Sequence, residues 1–177
     1  MINRMKRVIQ FTGLSGAGKT TLSFAIKQDL TTKGYKVVVL DGDELRKTIS
    51  IDLGFSEKDR LEHLKRVADL ADAISADFVL IAVINPYEVG RQIFKEQCGA
   101  KLIWLRCQIS VLRQRDTKGL YRRAFLPTND PDRLSNLTGV NAPFEEPIHA
   151  DLIVDTDQLE VEEASALIVN FILATSK

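Results

Sequence analysis

Gly13-Leu14-Ser15-Gly16-Ala17-Gly18-Lys19-Thr20 satisfies every fixed position of G-x-x-x-x-G-K-[ST], between a β-branched run ending at Thr12 and a helical pattern opening at Lys19. Glycines permit the tight turn that aims successive backbone N–H groups, and the positive end of the next helix, at phosphate oxygens. The expected nucleotide-binding set is Gly13, Leu14, Ser15, Gly16, Ala17, Gly18, Lys19, Thr20 and Thr21. Within it Lys19 reaches the β- and γ-phosphates of ATP, and the Thr20 hydroxyl ligates Mg2+. The motif serves kinases, GTPases and motor ATPases alike, so it fixes nucleotide binding without naming a reaction.

Outward from this loop, short apolar runs at 8–12, 37–40, 78–84, 102–105 and 152–154 alternate with helical patterns. The helices are expected at 19–32, 43–48, 57–75, 87–97, 110–115 and 161–174. This alternation predicts an α/β fold, a single P-loop domain over 1–177 with a five-stranded parallel sheet and helices on both faces. The segment 118–146 breaks the pattern with Pro127, Pro131 and Pro143 and several Asn and Asp. A loop this long reads as a lid. Arg113, Arg115, Lys118, Arg122 and Arg123 cluster at its start; their mutual repulsion predicts a lid that opens without polyphosphate and orders around ATP plus acceptor.

Composition narrows the partners. Lys plus Arg (24) equals Asp plus Glu (24), so no global basic field exists to hold nucleic acid or an anionic membrane. An anionic ligand must be met by a local charge cluster. No window reaches the roughly 18 apolar residues of a spanning helix, and the basic stretch 1–7 lacks the apolar run of a secretion signal. Cys98 and Cys107 lack metal-ligand spacing and read as reduced thiols of a cytoplasmic protein.

After the second strand, Leu40-Asp41-Gly42-Asp43-Glu44-Leu45-Arg46 places two carboxylates at the strand's carboxyl end, the edge where open α/β sheets bind ligands. Asp43 fits a helix N-cap with Asp41 in the turn. Beside a phosphate cradle the same two acids can hold Mg2+ water and accept the proton of an attacking hydroxyl, making Lys19, Asp41 and Asp43 the catalytic candidates and Thr20 and Asp41 the metal candidates. Arg46 and Arg60 are candidates to grip an anionic acceptor. His63 reads equally as a packed helix histidine or a ligand.

The P-loop, Leu40-Asp41-Gly42-Asp43, Asp52-Leu53-Gly54-Phe55-Ser56, Asp59-Arg60, Pro86-Tyr87 and Gln114-Arg115-Asp116-Thr117-Lys118-Gly119-Leu120-Tyr121 occur in the order of the adenylyl-sulfate kinase family, which the chain resembles over most of its length. The resemblance implies a nucleoside-monophosphate-kinase type of domain, usually a homodimer, making 3′-phosphoadenylyl sulfate from adenylyl sulfate and ATP in sulfate assimilation. It places Arg46, Phe55 and Arg60 in the acceptor pocket, Asp41 and Asp43 at magnesium and the acceptor hydroxyl, and Arg115 beside the adenine.

Departures gather in the acceptor half. Asn85-Pro86-Tyr87-Glu88 stands for the family's Ser-Pro-Tyr-Arg, His63 for an Asn, and Ser135-Asn136-Leu137-Thr138-Gly139 for Lys-Gly-Phe-Thr-Gly. His63 and Asn85 complete the candidate acceptor set. Losing the aromatic predicts weaker base stacking, about 1–3 kcal/mol per base. The departures fit either a tolerant variant or a kinase of another nucleotide-like acceptor, such as a cytidine nucleotide in surface-polysaccharide biosynthesis; a reading of another class is a non-catalytic nucleotide-binding switch. The sequence carries no signal for the water-positioning residue the switch requires.

Overall fold

The computed structural model describes residues 5–175; residues 1–4 of the basic leading stretch lie outside them. Five strands form one parallel sheet in the order β2-β3-β1-β4-β5. They are β1 (Arg7–Thr12), β2 (Val37–Asp41), β3 (Phe78–Ala82), β4 (Lys101–Arg106) and β5 (Leu152–Asp155). The third ends two residues before the expected limit, which frees Ile84 and Asn85 to turn toward the P-loop: the Thr12 hydroxyl donates to the carbonyls of both.

Among the described residues, seven helices connect and follow these strands: α1 (Lys19–Thr32), α2 (Gly42–Arg46), α3 (Glu57–Ala73), α4 (Glu88–Cys98), α5 (Ile109–Arg115), α6 (Leu120–Ala124) and α7 (Val161–Ala174). Strand periodicity sorts the core into two faces. Ile9 and Phe11 of β1 pack with Leu22, Ile26 and Leu30 of α1 and Ile168 and Ile172 of α7. Val8 packs on the opposite side with Leu64 and Val67 of α3 and Phe94 of α4. α1 and α3 begin where their sequence patterns do, because each has an apolar stripe to bury and a start signal in front of it.

Two expectations need correction. Asp43 does not cap α2: Asp41 does, its Oδ1 accepting the N–H of Asp43 at 2.9 Å and of Glu44 at 3.3 Å. The helix therefore starts one residue earlier, at Gly42. And 118–146 is not loop throughout, since Asp116 accepts the N–H groups of Tyr121 and Arg122 and starts the short helix α6. Among the described residues no helix is long and apolar enough to cross a membrane.

Candidate active site

The carboxyl ends of the strands surround one cavity of about 940 Å³. β1 delivers the P-loop, β2 delivers Asp41, and the turn after β3 delivers Ile84, Asn85 and Pro86. The stretch after β5, from Thr156 to Val161, lines the far end. Sequence reading missed that stretch, although it lies on the edge where open parallel sheets place their ligands.

α1 starts from Gly18 with no side-chain cap, so its first N–H groups stay available for an anion. Lys19 folds back over the loop, donating from Nζ to the carbonyls of Gly13 and Leu14, both at 2.8 Å. Burial lowers its pKa to about 8; Asp43 and Asp41 pull upward and Lys118 downward. A polyphosphate at this point supplies the counter-charge that burial lacks. The Thr20 hydroxyl donates to Asp41 Oδ2 at 2.6 Å. Capping occupies Asp41 Oδ1, so Oδ2 is the oxygen turned to the P-loop. Two hard oxygen donors side by side suit Mg2+, which takes its remaining ligands from nucleotide phosphates and water.

Asp43, in the first turn of α2, forms an ion pair with Lys118. Of the five clustered cations, Lys118 thus has a counter-charge, and three others have partners of their own. Arg113 lies over the Phe125 ring at 4.2 Å. Arg115 donates to the Thr156 carbonyl at 2.7 Å, joining α5 to the end of β5. Arg123 donates to the Asp132 carbonyl at 3.1 Å.

The residues expected to meet the acceptor gather around α3. Ser56 caps this helix, accepting the Asp59 N–H at 3.1 Å and donating to the Asp59 carboxylate at 2.7 Å. That local order presents Phe55 outward, 58 % exposed, with the guanidinium groups of Arg46 and Arg60 at 5.0 and 5.7 Å from its ring centre. Arg60 also donates to the Phe55 carbonyl, the Asn136 carbonyl and the Thr138 hydroxyl. Burial lowers the pKa of both arginines, and for Arg46 the charge of Arg60 adds to it. An anion entering between them relieves both effects.

Arg66 faces elsewhere, paired with Asp52 at 2.5 Å and Glu62 at 3.1 Å. His63 is buried on the cavity wall with Nδ1 2.8 Å from Ser50 Oγ. Burial, with the charges of Arg46 and Arg66, lowers its pKa to about 4; it is neutral at pH 7. Asn85 has φ 45°, and its Nδ2 donates 3.0 Å to Gln10 Oε1 within the protein. Its Oδ1 fills the space where a Cβ on Gly90 would stand, 2.5 Å away. Leu137 is 5 % exposed and belongs to the core.

Residues 5–155 match the adenylylsulphate kinase family. The chain belongs to that family. It is 39 % identical over 170 residues to the adenylyl-sulfate kinase of Geotalea uraniireducens, covering 93 % of this chain and 79 % of that protein. Against the adenylyl-sulfate kinase of Paraburkholderia xenovorans it is 41 % identical over 160 residues, 88 % of this chain and 87 % of that one. An APS kinase from Mycobacterium tuberculosis, solved in complex with AMPPNP and APS, superposes with a TM-score of 0.88 at 26 % identity, over 96 % of this chain and 99 % of that one. The P-loop is intact here, while three of the acceptor-side departures line the cavity and are also held from within the protein: His63 by Ser50, Asn85 by Gln10 and Leu137 by the core.

Proposed function

We propose that this chain, an ATP-dependent kinase by family, transfers the γ-phosphoryl group of ATP to the 3′-hydroxyl of adenylyl sulfate, giving 3′-phosphoadenylyl sulfate and ADP. The observation that carries the reading is a single cavity shared by the P-loop with Lys19, the carboxylates Asp41 and Asp43, and the paired guanidinium groups of Arg46 and Arg60 around Phe55. A planar base, an anionic group and a hydroxyl are the chemical features those side chains accommodate.

In this reading the P-loop N–H groups and Lys19 hold the β- and γ-phosphates, and Arg115 and the stretch from Thr156 hold the adenosine end. Thr20 and Asp41 Oδ2 hold Mg2+, which neutralises phosphate charge when bound. Arg46, Phe55 and Arg60 orient the acceptor. Its 3′-oxygen attacks the γ-phosphorus as the bond to the β–γ bridging oxygen breaks, and the hydroxyl proton passes to Asp43. Lys19 stabilises charge on the transferring group. Segment 118–146 acts as the lid, supported by Lys118, Leu134 and Asn136 on the cavity wall. The functional unit is a homodimer, and the two unpaired cysteines, Cys98 and Cys107, fit a cytoplasmic enzyme.

The cytidine-nucleotide alternative drew on the departures from the family. Asn85, bonded to Gln10, and Leu137, packed on the core, both also line the cavity, so the choice of acceptor is decided by assay. Mixing the protein with Mg-ATP and adenylyl sulfate should release ADP in step with a product bearing a new 3′-phosphate, read by phosphorus NMR. ADP release that does not respond to adenylyl sulfate would contradict the reading.

A further inference from the structure

The loop closing the lid touches both halves of the cavity. On the acceptor side Arg60 Nη1 donates to Thr138 Oγ1 at 3.1 Å and Nη2 to the Asn136 carbonyl at 3.0 Å. One residue later Gly139 lies against Leu14 of the P-loop. A Cβ on Gly139 would stand 2.5 Å from Leu14 Cδ2, 3.1 Å from Cδ1 and 3.4 Å from Cγ, at a φ of +83°. A side chain there strains the left-handed backbone and requires the end of the Leu14 side chain to move.

Leu14 is the pivot of the P-loop: its carbonyl accepts Lys19 Nζ at 2.8 Å and the Ala17 N–H at 3.2 Å. The lid loop cannot yield locally. The Leu137 carbonyl accepts the N–H groups of Val140, Asn141 and Ala142, and the Gly139 N–H is bound to the Ala142 carbonyl. The Asn141 side chain braces the same turn, accepting the Leu137 N–H at 2.7 Å and donating to the Leu134 carbonyl at 2.6 Å. With the turn braced in this way, a displacement at Gly139 falls on Leu14, the residue it touches.

The geometry points to Gly139 as a positioning residue that seats the P-loop through Leu14 and, through Thr138 and Arg60, ties that seating to the acceptor side, so that the two substrates bind cooperatively. This rests on the reading of the two halves as ATP and acceptor sites. An acceptor anion that fixes Arg60 holds residues 136–139 in place, and these hold Leu14 and its carbonyl beneath Lys19. ATP then binds more tightly to the acceptor complex, and by linkage the acceptor binds more tightly to the ATP complex by the same factor.

Calorimetric affinities for a non-hydrolysable ATP analogue, with and without adenylyl sulfate, test the inference in the full chain. Wild type should bind the analogue ~5-fold more tightly with adenylyl sulfate present. Gly139→Ala should weaken analogue binding ~10-fold without acceptor, and adding Leu14→Ala should recover much of that loss by making room for the methyl group. Thr138→Val, which keeps side-chain shape and needs no left-handed backbone, should bind the analogue alone as wild type does and lose the tightening by acceptor. It stays informative if Gly139→Ala does not fold. Unchanged analogue affinity in a folded Gly139→Ala, or full tightening in Thr138→Val, would overturn the coupling. The Gly139 and Leu14 comparison uses the analogue alone, so its outcome stands even if another molecule is the acceptor.

Discussion

In the proposed reading, the two halves of the cavity recognise their substrates by different means. The ATP half rests chiefly on one short backbone stretch, the uncapped first turn of α1 and the loop 13–18 whose carbonyls park Lys19, with the Lys19 and Thr20 side chains set on it. The acceptor half is made of side chains from distant segments, Arg46 on α2, Phe55 before α3, Arg60 and His63 on α3, and residues 136–138 of the lid. A backbone site needs few fixed residues in one short stretch. A side-chain site can be altered residue by residue, and the departures from the family motifs fall in that half.

Four measurements break or sharpen this contrast. The largest effect belongs to the ATP half: Lys19→Ala should lower kcat by ~10³-fold with the fold retained by circular dichroism, because the lost charge acts on the γ-phosphoryl in the transition state. A folded variant with most of its activity would undo the assignment of that half. Next is the junction. Asp43→Asn should lower kcat by ~10²-fold and leave ATP affinity nearly unchanged, since the amide cannot take a proton and Asp41 still caps α2. A normal rate would reduce Asp43 to an ion-pair partner of Lys118.

On the acceptor side, Arg46→Ala should raise KM for the acceptor by ~10-fold while KM for ATP holds, the signature of lost binding to one substrate. Equal shifts in both would mean that the halves are not separable at this residue. The smallest effect is on stability. His63 has a folded pKa of about 4 against an ordinary value near 6.5, so between these values the unfolded chain binds more protons than the folded one. The stability present above pH 6.5 is lost as pH falls toward 4. Urea midpoints should show ~2 kcal/mol of this loss between pH 7 and pH 5. That part of the loss should vanish in His63→Asn, and an identical pH slope in the variant would place the titration on other groups.

The fold was legible because each signal was local: the β-branched runs, the glycine-rich turn and the stripe on α3 lie within single elements. So was the P-loop, a contiguous motif whose chemistry resides in backbone. The acceptor half was legible only in part. Arg46, Phe55 and Arg60 do meet around one cavity, but only the third dimension shows Arg60 bonded to Thr138, 78 residues away. Asn85 looked like an acceptor ligand from its place in the motif. It does line the cavity, but no linear pattern announces its left-handed backbone or the hydrogen bond of its amide to Gln10. Asp41 and Asp43 exchanged their expected capping roles because either acid satisfies the same sequence rule.

The central claim is that an intact ATP half and a rebuilt acceptor half still serve adenylyl sulfate. The direct test is kcat/KM at saturating Mg-ATP for adenylyl sulfate beside CMP and CDP. The expected preference for adenylyl sulfate is ~10²-fold or more, the scale of one well-placed charged hydrogen bond that the competitor does not make. A cytidine nucleotide phosphorylated as well as or better than adenylyl sulfate would contradict it.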